Sequence, residues 1–196
     1  MRLKTEPVTK HSPNFPQIKN LYNEAFPPKE KAPLSILLRK ARKPFVDFTA
    51  YYAEESANRT FIGFTYLAYH ENLVFVMYLA VDPSLRSKGY GSEILEQLRR
   101  SYPDSRIILN IEAADPNAPN HAERLRRREF YVRSGYTGSG FHVQEFGVLY
   151  EALVHGGPVE PQQFLRLHRR FMGFPLSVLG RLKIFSKPDV PLKTDE

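Results

Sequence analysis

The stretch 79–98, LAVDPSLRSKGYGSEILEQL, restricts the fold more than any other part of the chain. It begins inside an apolar run, Leu73–Val81, that is rich in β-branched and aromatic residues and therefore reads as a buried strand. Asp82 and Pro83 end that strand. The basic turn Arg86, Ser87, Lys88, Gly89, Tyr90, Gly91, Ser92 comes next, and then Ile94, Leu95, Leu98 and Tyr102 recur at helical spacing. The predicted order is strand, glycine turn, helix.

Such a turn suits an anion. Glycines let the backbone approach a ligand closely, and the unpaired N–H groups of a first helical turn, with the helix dipole behind them, favour a phosphate. Arg86 and Lys88 add positive charge. Two familiar phosphate loops are excluded by spacing: no GxxxxGK[ST] is present, and GxGxxG fails because its third glycine position is Ile94. Taken alone, these residues specify a pyrophosphate-sized anion and nothing finer.

The residues from Arg86 to Gly91 also match the Arg/Gln-x-x-Gly-x-Gly/Ala signature of the GNAT-type N-acetyltransferases, which the chain resembles. A second segment, Phe130, Tyr131, Ser134, Gly135 and Tyr136, is similar to that family's downstream FY…GF segment. The resemblance covers roughly residues 1 to 154. It implies an α/β fold whose mixed, mostly antiparallel central sheet of about six to seven strands is flanked by helices. It also implies acetyl-CoA as co-substrate, with pyrophosphate on Arg86, Ser87, Lys88, Gly89, Tyr90, Gly91 and Ser92. The pantetheine arm would pair with the backbone of Leu79, Ala80 and Val81, in an opening where the next strand runs parallel and splays away. Tyr131 stands where the family places the acid that protonates the departing thiolate. Position 124 departs from the family pattern: an arginine replaces the asparagine seven residues before the tyrosine, Asn117 and Asn120 lie further upstream, and Asn120 is taken as the candidate pantetheine contact.

The rest of the chain reads in order. Residues 2–9 form an edge strand. From the N-cap candidate Asn14, the residues Phe15, Ile18, Leu21, Tyr22, Ala25 and Phe26 follow helical spacing until Pro27 and Pro28 stop them, and a second helix covers 34–42. In the resembled family these helices wall the substrate pocket, so Tyr22 and Phe26 are candidate lining residues. Residues 45–54 and 60–70 form an antiparallel hairpin whose second strand pairs with Leu73–Val81. Such a meander suits a mixed sheet better than a doubly wound parallel one. After the glycine-turn helix come a short strand, Arg106–Glu112, a loop with two prolines, a helix over 121–134 and two strands, 141–146 and 148–154. The helix carries arginines 124, 126, 127, 128 and 133, read either as a solvated face or as contacts for the CoA phosphates.

Residues 1–154 are assigned to the acetyltransferase domain, and 155–196 to a C-terminal helical extension packed on it, with a polar tail. Phe164, Leu167, His168 and Phe171 mark an amphipathic helix there, and Leu176, Leu179 and Leu182 a second, shorter one. Docking on the sheet, a homodimer contact and an anionic surface are the alternatives for this segment.

Deprotonating a lysine-like amine at pH 7 costs about 4.6 kcal/mol, so a base or a water path to one is required. Glu112, at the end of its strand, is the first candidate and Glu145 the second. The six histidines are scattered without a metal-ligand spacing and cysteine is absent, so no metal is expected. The net charge of +7 sits on the flanks: residues 1–44 hold ten Lys/Arg against three Asp/Glu, whereas 45–159 hold eleven against fourteen. A mildly acidic centre suits a cationic amine, small or peptidic, better than nucleic acid. With no apolar leader and no membrane span in the sequence, a cytoplasmic protein is expected. The competing readings are a non-catalytic acyl-CoA-binding module and, more weakly, recruitment of nucleic acid by the basic C-terminal segment.

Overall fold

The computed structural model describes residues 3–55, 58–173 and 182–186, and the chain divides between Ser105 and Arg106 into two compact units. In the first unit, four strands lie in sequence order: β1 (Lys4–Pro7), β2 (Val46–Glu55), β3 (Asn58–His70) and β4 (Leu73–Val81), each antiparallel to the next. The helices are α1 (Phe15–Ala25), α2 (Leu34–Lys40) and α3 (Tyr90–Ser101), with short 3₁₀ turns at Pro28–Glu30 and Pro83–Leu85. The apolar spacing read in the sequence is the buried stripe here: Ile18, Leu21 and Tyr22 on α1, and Ile94, Leu95 and Leu98 on α3. Asn14 does occupy the position before α1, but its side chain bonds Gln17 rather than capping the helix.

The core of this unit is aromatic. The rings of Tyr22, Phe26, Phe48, Phe64, Tyr66 and Tyr78 meet edge-on or tilted at centroid separations of 4.8–6.4 Å. Such pairs contribute about 0.5–1.5 kcal/mol each beyond the area they bury. Their hydroxyls tie down the α1–α2 connection and α2 itself: Tyr22 donates to the Ala32 carbonyl (2.8 Å) and Tyr78 to that of Glu30 (2.8 Å) in the connection, and Tyr66 to that of Leu37 (3.0 Å) in α2. A connection rich in prolines, which lack N–H donors, thus gains its rigidity from tyrosine side chains.

The second unit holds β5 (Arg106–Glu112), α4 (His121–Arg133), β6 (Thr137–Glu145), β7 (Val148–His155), α5 (Pro161–Met172) and β8 (Lys183–Ser186). Its strand order is β5-β7-β6-β8, all antiparallel. The β6–β7 hairpin turns on Phe146 and Gly147, both at positive φ (48° and 79°), as a tight two-residue hairpin requires. Pro161 opens α5, Glu160 and Gln163 form a reciprocal capping box, and Phe164, Leu167, His168 and Phe171 are buried. This buried face is seated on β6: Phe164 meets Phe141 at 6.1 Å, and His168 Nε2 lies 3.1 Å from Glu145 Oε1.

The described chain therefore has eight strands, one more than the upper expectation. The added strand is β8. Leu182, expected in a short helix, precedes it without regular structure, while Leu176, Leu179 and the cations Arg181 and Lys187 lie outside the described residues. Among the described residues no helix is long and apolar enough to cross a membrane.

Candidate active site

The glycine turn is built from β4 outward. Tyr66 pairs with Tyr78 and Leu67 with Val76, so Met77 is an extra residue that bulges β4. A bulge bends its strand and re-aims the residues beyond it, here Leu79, Ala80 and Val81. Gly63 lies opposite Val81, and a Cβ at that position would come within 2.1 Å of the Ala80 carbonyl oxygen. Only glycine permits this approach. A glycine inside an otherwise aromatic strand was the sequence signal for it.

Beyond Val81, the Asp82 carboxylate accepts from the Ser84 N–H (2.9 Å) and hydroxyl (2.6 Å), closing the 3₁₀ turn. Leu79, Val81, Leu85 and Tyr90 pack against the cluster of Leu3, Tyr51, Ala53, Ile62 and Ile94, which anchors both ends of the turn in the core. Between these anchors Arg86, Ser87, Lys88 and Gly89 are exposed. Ser87 and Gly89 both take positive φ, 62° and 83°, and nothing lies within 4 Å of a Cβ placed on Gly89. The first helical hydrogen bond runs from the Glu93 N–H to the Gly89 carbonyl (3.1 Å). Helix geometry leaves the N–H groups of Tyr90, Gly91 and Ser92 without helical acceptors. Arg86 and Lys88 form no ion pair among the described residues. An open cradle of backbone donors with two uncommitted cations fits a pyrophosphate.

In the second unit, Tyr131 lies on α4, 8 % exposed, with its ring against Phe130 (5.0 Å) and Tyr136 (5.8 Å). Burial pushes its hydroxyl up to about 12, against the opposing influence of the Arg127 guanidinium. The group therefore keeps its proton at neutral pH and is a donor, not a base. Among the described residues its hydroxyl has no hydrogen-bond partner.

Glu112 ends β5, and both of its oxygens are engaged. Oε1 accepts from Arg124 Nη2 (2.8 Å), and Oε2 from Asn120 Nδ2 (3.1 Å) with Arg127 Nη1 at 3.7 Å. Asn120, the candidate pantetheine contact, stands just before α4. Its amide carries the Glu112 bond at one end and accepts from Arg124 Nε (2.9 Å) at the other. Of the other α4 arginines, Arg128 pairs with Glu151 (2.9 Å) and Arg133 with Glu129 (3.7 Å). The helix counted as cationic in the sequence is largely neutralised by its own unit. Glu145, the second base candidate, is held by His168.

The acetyltransferase (GNAT) family profile matches residues 15–136, a span running from α1 through the glycine turn to Tyr136. The chain belongs to the GNAT family. It is an N-acetyltransferase. Among solved structures, it is similar to a protein from Bacteroides thetaiotaomicron assigned to the GNAT acetyltransferases, at 22% identity and a TM-score of 0.64, over 89% of this chain and 98% of that one. A mutant of the spermidine N-acetyltransferase SpeG from Vibrio cholerae matches at 17% identity and a TM-score of 0.58, over 79% and 93%. An aminoglycoside 6'-N-acetyltransferase complexed with coenzyme A matches at 16% and 0.56, over 81% and 99%. At these identities the likenesses bear on the GNAT fold alone. A comparison with curated protein sequences returned no match.

Proposed function

We propose that this GNAT enzyme moves an acetyl group from acetyl-CoA directly to a primary amine. The observation that carries the reading is the turn 86–92: two exposed cations with no ion pair among the described residues and an open left-handed Gly89, set before a helix whose first N–H groups have no helical acceptor. On this reading Arg86, Ser87, Lys88, Gly89, Tyr90, Gly91 and Ser92 hold the pyrophosphate, and the backbone of Leu79, Ala80 and Val81 pairs with the pantetheine amides. Acetyl-CoA supplies the activated thioester. The amine first loses a proton to water, its nitrogen attacks the carbonyl carbon and the C–S bond breaks; the nitrogen loses its second proton to water, Tyr131 donates its proton to the leaving sulfur and is then reprotonated from water. A backbone N–H of the 79–81 segment polarises the thioester carbonyl.

Relatives of similar fold act, by their descriptions, on spermidine and on aminoglycosides. A cationic primary amine is the acceptor class proposed for this chain, consistent with the net negative balance of residues 45–159. Calorimetric titration of acetyl-CoA and desulfo-CoA tests the cofactor, with Gly89→Trp as the variant that fills the cradle. Binding to the native protein that is lost in the variant supports the reading and directs an amine screen scored by CoA release. No binding of either ligand at millimolar concentration overturns it.

A further inference from the structure

The sequence made Glu112 the first candidate for general base, but its bonding argues for another part. To accept a proton, the carboxylate would have to give up an ion pair whose two side chains are only 12% and 16% exposed, leaving the Arg124 guanidinium uncompensated. The spacing of its partners points to a different role. Arg124 and Arg127 stand at i and i+3 on α4, and Tyr131 stands at i+7, two turns from Arg124 on the same side of the helix. Arg124 is pinned further, by Nη1 to the Ala113 carbonyl (2.8 Å) and by Nε to Asn120 (2.9 Å), so the chain on either side of loop 113–120 is drawn to the first turn of α4.

We propose that Glu112 is a positioning residue for Tyr131: by gripping Arg124 and Arg127 it fixes the rotation of α4 and with it the placement of the tyrosine hydroxyl. The same grip holds Arg127, whose charge opposes the effect of burial on that hydroxyl. Glu112 thus acts on the donor through the helix and touches no reacting atom. This rests on the acetyl-transfer reading for its kinetic consequence but not for its structural one.

The test compares Glu112→Gln, Arg124→Gln and the double variant with the native chain. It uses rate against pH, CoA release with the best amine of the screen, and amide hydrogen exchange of residues 113–124. The expected result is a fall of about tenfold in kcat for each single variant, as for groups coupled in one network, with acetyl-CoA affinity unchanged. The fall should be the same at every pH, the double variant no worse than either single one, and exchange faster in all three. A loss of the acidic limb of the rate profile in Glu112→Gln, with activity of a Glu112→Ala variant recovered by added formate, would make Glu112 the base and overturn the proposal. Unchanged rate and unchanged exchange would overturn it as well. Should the protein transfer no acetyl group, the exchange measurement still decides whether the clamp exists, separately from the fate of the functional reading.

Discussion

The two units dispose of their polar groups in opposite ways. In the first, the cations of the glycine turn are exposed and unpaired among the described residues, while a set of tyrosines is buried with their protons held. In the second, the arginines of α4 are matched against Glu112, Glu151 and Glu129, and a single tyrosine of α4 is buried. The difference teaches that availability, not number, makes a cation a candidate ligand. Arg86 and Lys88 are two charges on a turn, yet they offer more to an anion than five arginines on a helix, four of which are already engaged.

The largest effect that would sharpen this contrast is alkaline. Burial raises Tyr22, Tyr66 and Tyr102 well above the ordinary phenol value and pushes Tyr51 up to about 12, and all four belong to the first unit. Because the folded state holds these protons more tightly than the unfolded one, their contribution is fully present below about pH 10 and is lost as pH rises beyond it. For Tyr51 alone, the rise from the ordinary phenol value to about 12 corresponds to about 3 kcal/mol. Urea melts at pH 8 and pH 11 should show the loss, and hydrogen exchange should place it first in the first unit. With no tryptophan in the chain, phenolate absorbance reports the same event cleanly. Earlier opening of the second unit would break the comparison.

A smaller effect separates the two kinds of cation. Arg86→Ala combined with Lys88→Ala should weaken acetyl-CoA binding by about 2 kcal/mol, as expected of charge-assisted bonds to phosphate, and leave the melting temperature within a degree or so. Arg128→Ala should do the reverse, lowering stability by about 1 kcal/mol because Glu151, only 18% exposed, loses its partner. If both variants altered both quantities, the distinction between free and committed charge would fail. The smallest effect belongs to Arg126, exposed and without an ion pair among the described residues. Arg126→Ala should change stability by less than about 0.5 kcal/mol and affinity not at all, and calorimetry on the same preparation checks both.

Much of this molecule was legible in the chain because the signals are local. β4 was read at its observed bounds, Leu73–Val81, as was β5 at Arg106–Glu112, since continuous apolar runs flanked by turn residues leave little latitude. The helical stripes of α1, α3 and α5 follow directly from the 3.6-residue period. β8 was not legible: four residues, KIFS, carry too little pattern to be told from a helix end, and they become a strand only because β6 offers an edge to pair with. The turn at Phe146 was placed near Gly147 by the glycine, but nothing marked phenylalanine as the residue that would take a positive φ beside it.

By itself, the sequence determined the strand–turn–helix around Gly89, the free charges set in it and the family to which the chain belongs, because each depends on residues close together along the backbone. Only the tertiary structure decided the partners of the distant polar groups. That Glu112 meets Arg124 and Arg127, that Gly63 must pass the Ala80 carbonyl, and that tyrosine hydroxyls hold the proline-rich connection of the first unit are facts of approach between segments far apart in sequence. A carboxylate alone on a strand end reads as a base, and the same carboxylate between two guanidinium groups is an anchor. The physical reason is that a side chain's chemistry is set by what satisfies its lone pairs and charge, and those neighbours are supplied by the fold.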